Sequence, residues 1–159
     1  MRFGALVLCT LSTLLLAIAF ASTAPAVQAG PRLDAGERAV VRAINRARSR
    51  HGLRSLHAGS RLARAADAHS RHMLATDSFA HGAFVQRVRS FVDYHRIGET
   101  IAMLSRCNAR RAVRMWLDSP GHRTVVLSPG YSRVGIGRRV GRLGRRRACM
   151  VTADFASRR

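Results

Sequence analysis

The chain contains no lysine: all 28 of its Lys+Arg positions are arginine, set against 8 acidic residues for a formal charge of +20. Arginine codons are rich in G and C, so a GC-rich genome accounts for much of this bias. A charge this large still attracts polyanions whatever its origin, so nucleic acid, anionic lipid and acidic wall polymers are physically permitted partners. Aromatic residues are scarce, at 6%. Sequence-tolerant binding of single-stranded nucleic acid relies on aromatic stacking platforms, so that scarcity makes nucleic acid an unattractive partner. There is no Gly-x-Ser-x-Gly elbow and no His-Glu-x-x-His pair, which removes the usual signatures of a serine hydrolase and of a zinc peptidase helix. Beyond the N-terminal 30 residues no segment is apolar enough to span a bilayer.

What is present begins with a basic Arg2, an uncharged Leu/Ala-rich stretch over residues 5–20, and a small-residue segment ending Val27-Gln28-Ala29. That order is the pattern of a secretory signal, with cleavage expected after Ala29. The apolar run is shorter than the ~20 residues of a spanning helix, which disfavours a retained anchor. The reading is therefore a signal peptide over residues 1–29, one domain over residues 30–159, and a secreted, extracellular location. Two cysteines, Cys107 and Cys149, remain after the signal, and in an exported chain such a pair reads as one disulfide. Closing a loop of that length stabilises a fold by roughly 4 kcal/mol in the chain-entropy picture.

Asp34 followed by Glu37 has the form of a helix start, and Val40, Val41, Ile44 and Ala47 continue at helical spacing to about Arg50. Ser60 is expected to cap a second helix with Leu62, Ala65, Ala66, His69, Met73 and Leu74 on its apolar stripe. One of His69 and His72 is expected in the core and the other in solvent. Phe84, Val88 and Phe91 suggest a short third helix. Residues 96–104 alternate as a strand, with Ile97, Glu99, Ile101 and Met103 on one face. Asn108 is placed to cap a helix carrying Ala112, Val113, Trp116 and Leu117, stopped by Ser119-Pro120-Gly121. Two strands, residues 133–140 and 148–155, flank a Gly- and Arg-rich connection over residues 141–147. Helices early and strands late indicate an α+β domain.

The ordered motifs resemble the CAP superfamily, which includes cysteine-rich secretory proteins, antigen 5 and plant pathogenesis-related proteins. The carriers are Asn45 with the trailing His51-Gly52-Leu53, the segment Phe79-Ala80-His81-Gly82, Gly98-Glu99-Thr100, and above all Trp116-Leu117-Asp118-Ser119-Pro120-Gly121-His122. Tyr131 to Gly137 and Val151 to Phe155 are similar to the family's closing strands. The resemblance implies an α-β-α sandwich with a small antiparallel sheet between helical layers. It also implies a cleft lined by His81, His122 and Glu99, with Asp118 as a further acid, where some members hold a divalent metal. Two departures, Thr100 and Val125 where the family often has Asn, fall beside that cleft.

Two imidazoles and a carboxylate suit zinc or a similar ion, and calcium is the other divalent candidate. Glu99 is one of only two glutamates and has apolar neighbours along its strand, so its carboxylate needs a partner. An arginine or backbone N–H groups would make it a structural network; a metal or ligand would make it part of a site. A second candidate surface is the cluster Arg138, Arg139, Arg142, Arg145, Arg146 and Arg147, a basic finger able to meet phosphates of lipid headgroups or anionic cell-envelope polymers. The functional expectations are thus an extracellular binding module for a small ligand, lipid or envelope component, a metal-dependent hydrolase using the same cleft with Glu99 as ligand or base, and a charge-driven polyanion binder.

Overall fold

The computed structural model describes residues 33–157; the segment of residues 1–29 expected to be a signal peptide lies outside them. Helix α1 (Ala35–Ser49) opens with the capping box expected from Asp34 and Glu37: Glu37 N–H donates to Asp34 Oδ1 at 2.7 Å and Asp34 N–H to Glu37 Oε2 at 2.8 Å. Its buried face is Val40, Ala43, Ile44 and Ala47, with Arg48 drawn fully inside. The Arg48 guanidinium donates to the carbonyl oxygens of Arg54, Val126 and Ser128, so it ties the loop after α1 to the end of α5 rather than facing solvent.

A two-residue strand, β1 (His57–Ala58), precedes α2 (Ser60–Ala75) and α3 (Phe84–Arg89). Gly59, not Ser60, occupies the N-cap of α2, and no side chain caps it. His69 is the core histidine and His72 the exposed one. Strand β2 (Ile97–Leu104) leads to α4 (Ala109–Asp118), α5 (Pro120–Val126), β3 (Arg133–Leu143) and β4 (Arg146–Ala156). Asn108 accepts from Arg111 N–H at 3.0 Å and so caps α4 as expected. Asn108→Ala should cost about 1 kcal/mol in urea unfolding and Asn108→Ser much less; equal stability of all three chains would show that the cap carries no weight. Pro120 does more than stop α4: it occupies the first turn of α5, where its fixed φ and missing N–H are harmless.

The sheet order is β1-β3-β4-β2, antiparallel except for the short parallel pairing of β1 with β3. Helix α2 covers one face, while α1, α4 and α5 cover the other around Trp116, Ile44, Val134, Ile136 and Phe155. Gly135 and Gly137 lie where β3 meets α2, and any Cβ there would collide with the backbone of Leu62–Ala63 and Ala66–Asp67 respectively. The Cys107–Cys149 disulfide forms across 42 residues, joining the entry of α4 to β4.

Candidate functional site

The site is built on the α2 face of the sheet, where strand register decides which polar side chains meet. Glu99 on β2 pairs with Asp154 on β4, and Asp154 pairs in turn with Gly135 on β3. Cross-strand partners share a face, so two carboxylates are placed side by side beneath α2. Both are buried, Glu99 at 5% exposure and Asp154 at 0%. Two buried carboxylates require a cation, and α3 supplies it. Arg87 donates through one guanidinium nitrogen to Glu99 Oε2 and through the other to Asp154 Oδ2 at 3.2 Å. Burial holds the Asp154 carboxyl well above the usual carboxylate range; Arg87 opposes this and the neighbouring Glu99 adds to it. Its second oxygen, Oδ1, has no partner among the described residues, an arrangement that a neutral carboxyl tolerates better than a carboxylate.

The free side of Glu99 faces the loop after α2. His81 Nδ1–H donates to Glu99 Oε1 at 2.7 Å. The Glu99 side chain is 1% exposed and the His81 side chain 49%, so a buried carboxylate holds an imidazole that reaches solvent. This bond fixes the His81 tautomer and leaves its Nε2 lone pair pointing outward. His122, near the start of α5, brings its own Nε2 to within 3.4 Å of that atom, with ring centroids 5.5 Å apart. Burial, and then the neighbouring His81, lower the His122 pKa, which favours a neutral ring. His69 donates from Nε2 to the Ala80 carbonyl at 2.9 Å and thereby holds the loop that presents His81. Burial lowers its pKa as well, so it serves as a neutral donor.

His81, Glu99 and His122 therefore come together, but with unequal roles. Glu99 is not placed as a metal ligand: both of its oxygens are engaged, one by His81 and the other by Arg87. Asp118 does not join the cluster. It sits exposed at the end of α4, in a groove with Arg46, Arg50, Arg110, Arg114 and Arg123, because the last turn of α4 points it along that helix's outer side. Arg87, Asp154 and His69 complete the network. The sequence did raise an arginine as a partner for Glu99, but naming Arg87 and Asp154 requires the β2–β4 register and the docking of α3.

The basic finger is also different in kind from the expected one. The strands extend to Leu143 and resume at Arg146, leaving a tight turn with Gly144 at φ 55°. Arg138 and Arg139 are on opposite faces of β3, not at a tip. Arg138 binds Asp34 at 2.9 Å, and Arg139 holds Asp67 through two bonds of 2.5 and 2.7 Å. Arg142 donates to the Arg145 carbonyl, which ties the turn to itself.

Among the described residues no helix is long and apolar enough to cross a membrane. The chain is 31% identical to Bacillus subtilis YkwD over 111 residues, covering 66% of this chain and 43% of that protein. It is 32% identical over 107 residues to the B. subtilis membrane protein YlbC, covering 64% of this chain and 31% of that one. The chain thus spans less than half the length of these curated relatives. An extracellular protein with an SCP domain from Bacillus anthracis superposes with a TM-score of 0.67 at 26% identity, over 77% of this chain and 40% of its own. An outer surface protein of Borrelia burgdorferi shares the fold, with a TM-score of 0.68 at 18% identity over 82% of this chain and 99% of its own. The family model for cysteine-rich secretory proteins matches residues 41–155, spanning every element from the middle of α1 to the end of β4, and the chain belongs to that family, CAP.

Proposed function

We propose that the protein is an exported binding module whose working surface is the His81–His122 imidazole pair, with a zinc-class divalent ion held there to receive a small ligand or envelope component. The observation that carries this reading is the locked His81 ring: a buried carboxylate consumes its Nδ1–H, and the exposed Nε2 faces the Nε2 of a second histidine. Two imidazole nitrogens on one tetrahedral zinc, each at about 2.0–2.1 Å, lie about 3.3 Å apart. The 3.4 Å separation fits that requirement. The carboxylate behind His81 is the outer-shell partner that metal-binding histidines use. Calcium fits poorly, because it takes oxygen ligands and Glu99 offers no free one. Among the described residues no group of three His, Cys, Asp or Glu side chains converges, so the reading rests on His81 and His122 alone, with solvent or the ligand completing the shell of a bound ion. When bound, the ion supplies a Lewis-acid contact for a carboxylate, phosphate or carbonyl oxygen. The hydrolase reading has no observation in its favour, since Glu99 is committed to His81 and Arg87 and is not free to act as base.

Calorimetric titration with zinc tests the proposal. One ion per chain is expected for the wild type and none for His81→Ala/His122→Ala. Glu99→Gln should weaken binding by about 10–100-fold while leaving the stoichiometry unchanged. Affinity should fall as the solution is acidified, because protonated imidazoles cannot bind metal. Undiminished binding by the double variant, or none by the wild type, would remove the metal from this surface.

A further inference from the structure

The helices α1, α4 and α5 carry a second feature that the histidine pair does not use. A groove runs between α1, α4 and α5 over a floor of Ala43, Ala47, Val113 and Leu117, and five arginines line it: Arg46, Arg50, Arg110, Arg114 and Arg123. Asp118 is the only acid among its lining residues. Arginine–carboxylate pairs among the described residues lie elsewhere, among them Asp34 with Arg138, Asp67 with Arg71 and Arg139, and Glu99 and Asp154 with Arg87. Among the described residues, Arg46, Arg50, Arg110 and Arg114 have no carboxylate and no side-chain hydrogen bond. Arg123 is aimed into the groove by a 3.2 Å bond to the Leu117 carbonyl.

This arrangement costs stability in the free protein. Arg46 and Arg50 are four residues apart, as are Arg110 and Arg114, and like charges at that spacing on a helix repel. Arg110 and Arg111 stand in the first turn of α4, which has no acidic residue, where the helix dipole disfavours cations. An anion in the groove would offset all of these terms together. Residues four apart lie about one turn apart on the same side of a helix, so α1 and α4 each present a pair of guanidinium-bearing positions to an extended ligand.

We propose that this groove is a binding site for a linear polyphosphate-type polymer, a chain bearing a phosphate at each repeat. The floor residues Ala43, Ala47 and Val113 are small and already buried, so the groove offers little apolar surface to an acyl chain. It has no aromatic lining residue, so nucleic-acid bases would have nothing to stack on. Guanidinium forks and closely spaced phosphates match in both geometry and charge density.

The test uses the full chain, inorganic polyphosphate as the probe, and two variants with equal loss of charge. Arg46→Gln/Arg50→Gln/Arg110→Gln/Arg114→Gln empties the groove; Arg142→Gln/Arg145→Gln/Arg146→Gln/Arg147→Gln neutralises the hairpin tip. The groove variant should bind about 100-fold more weakly at low salt, with a shallower dependence of log K on log salt, while the hairpin variant keeps both near wild type. The groove variant should stay folded and melt near wild type, since relief of the Arg46–Arg50 and Arg110–Arg114 repulsions is set against the loss of cations that favour the C-terminal turn of α1, so weaker binding cannot be put down to unfolding. Equal weakening by the two variants would overturn the proposal in favour of diffuse charge attraction. Binding to vesicles of anionic phospholipid without binding to polyphosphate would overturn it in favour of a membrane surface. His81→Ala/His122→Ala should bind polyphosphate as wild type does, so failure here and failure of the metal reading are separable.

Discussion

Arg87→Met is expected to lower the free energy of unfolding by about 3–5 kcal/mol near pH 7, and by much less near pH 4. Methionine keeps an unbranched apolar stem, so the packing of α3 is largely retained and the charge is what is lost. Without the guanidinium, the buried carboxyls of Glu99 and Asp154 face each other with no cation. The sign follows from Asp154, whose carboxyl burial already holds well above the usual range. A group whose pKa is raised on folding favours the fold fully below its unfolded pKa, about 3.9, and that contribution is lost as pH rises towards the folded value. Removing Arg87 raises the folded Asp154 value further, so the gap between variant and wild type should open as pH rises through the wild-type folded value, well above the usual carboxylate range. Guanidinium unfolding at several pH values measures this directly. A deficit that is the same at all pH values would mean that Arg87 acts through packing alone.

Gly137→Ala should be nearly as damaging, at about 3 kcal/mol, for a reason unrelated to charge. The added methyl group would meet the backbone of Ala66 and Asp67, and helix backbone cannot rotate aside as a side chain can. Relief requires α2 to lift from β3. That movement would also disturb Ser70, which donates to the Gly137 carbonyl, and His69, which holds the His81 loop through Ala80. Gly121→Ala is the matched control, since a Cβ at that helical position meets nothing within 4 Å. It should be neutral or slightly stabilising. Similar melting temperatures for the two variants would show that the seat of α2 on β3 is less tight than its geometry implies. Loss of zinc binding by Gly137→Ala at temperatures where it remains folded would tie that seat to the site.

The features legible in the sequence are those determined locally. The Asp34–Glu37 box, the Asn108 cap, the apolar stripes of α1 and α2 and the alternation of β2 each depend on residues within a few positions of one another. The disulfide followed from a count of cysteines. Features that depend on distant pairing were not legible. Strand β1 is two residues long and exists only because β3 lies beside it. Pro120 reads as a stop and also begins a helix, because α5 packs back onto β2. Within the site, His81, Glu99 and His122 were visible through motif order. Glu99's role as an orienting group was not, because it depends on Arg87 arriving from α3 and on Asp154 arriving by strand register. The basic hairpin was misjudged for a related reason. Asp34 and Asp67 are far from Arg138 and Arg139 in sequence, so composition could not show that those charges are neutralised.

The disulfide has a consequence for proteolysis. Arg145 in the hairpin turn and Arg146 and Arg147 at the start of β4 are consecutive and exposed, a target for trypsin-like enzymes. Cleavage there would sever the last strand from the rest of the polypeptide. Cys149 lies beyond the cut and Cys107 before it, so the clipped strand remains covalently attached. It also stays hydrogen-bonded on both sides, to β2 and to β3. A nicked molecule would therefore keep Asp154 beneath Arg87 and the histidine pair intact, and would come apart only on reduction.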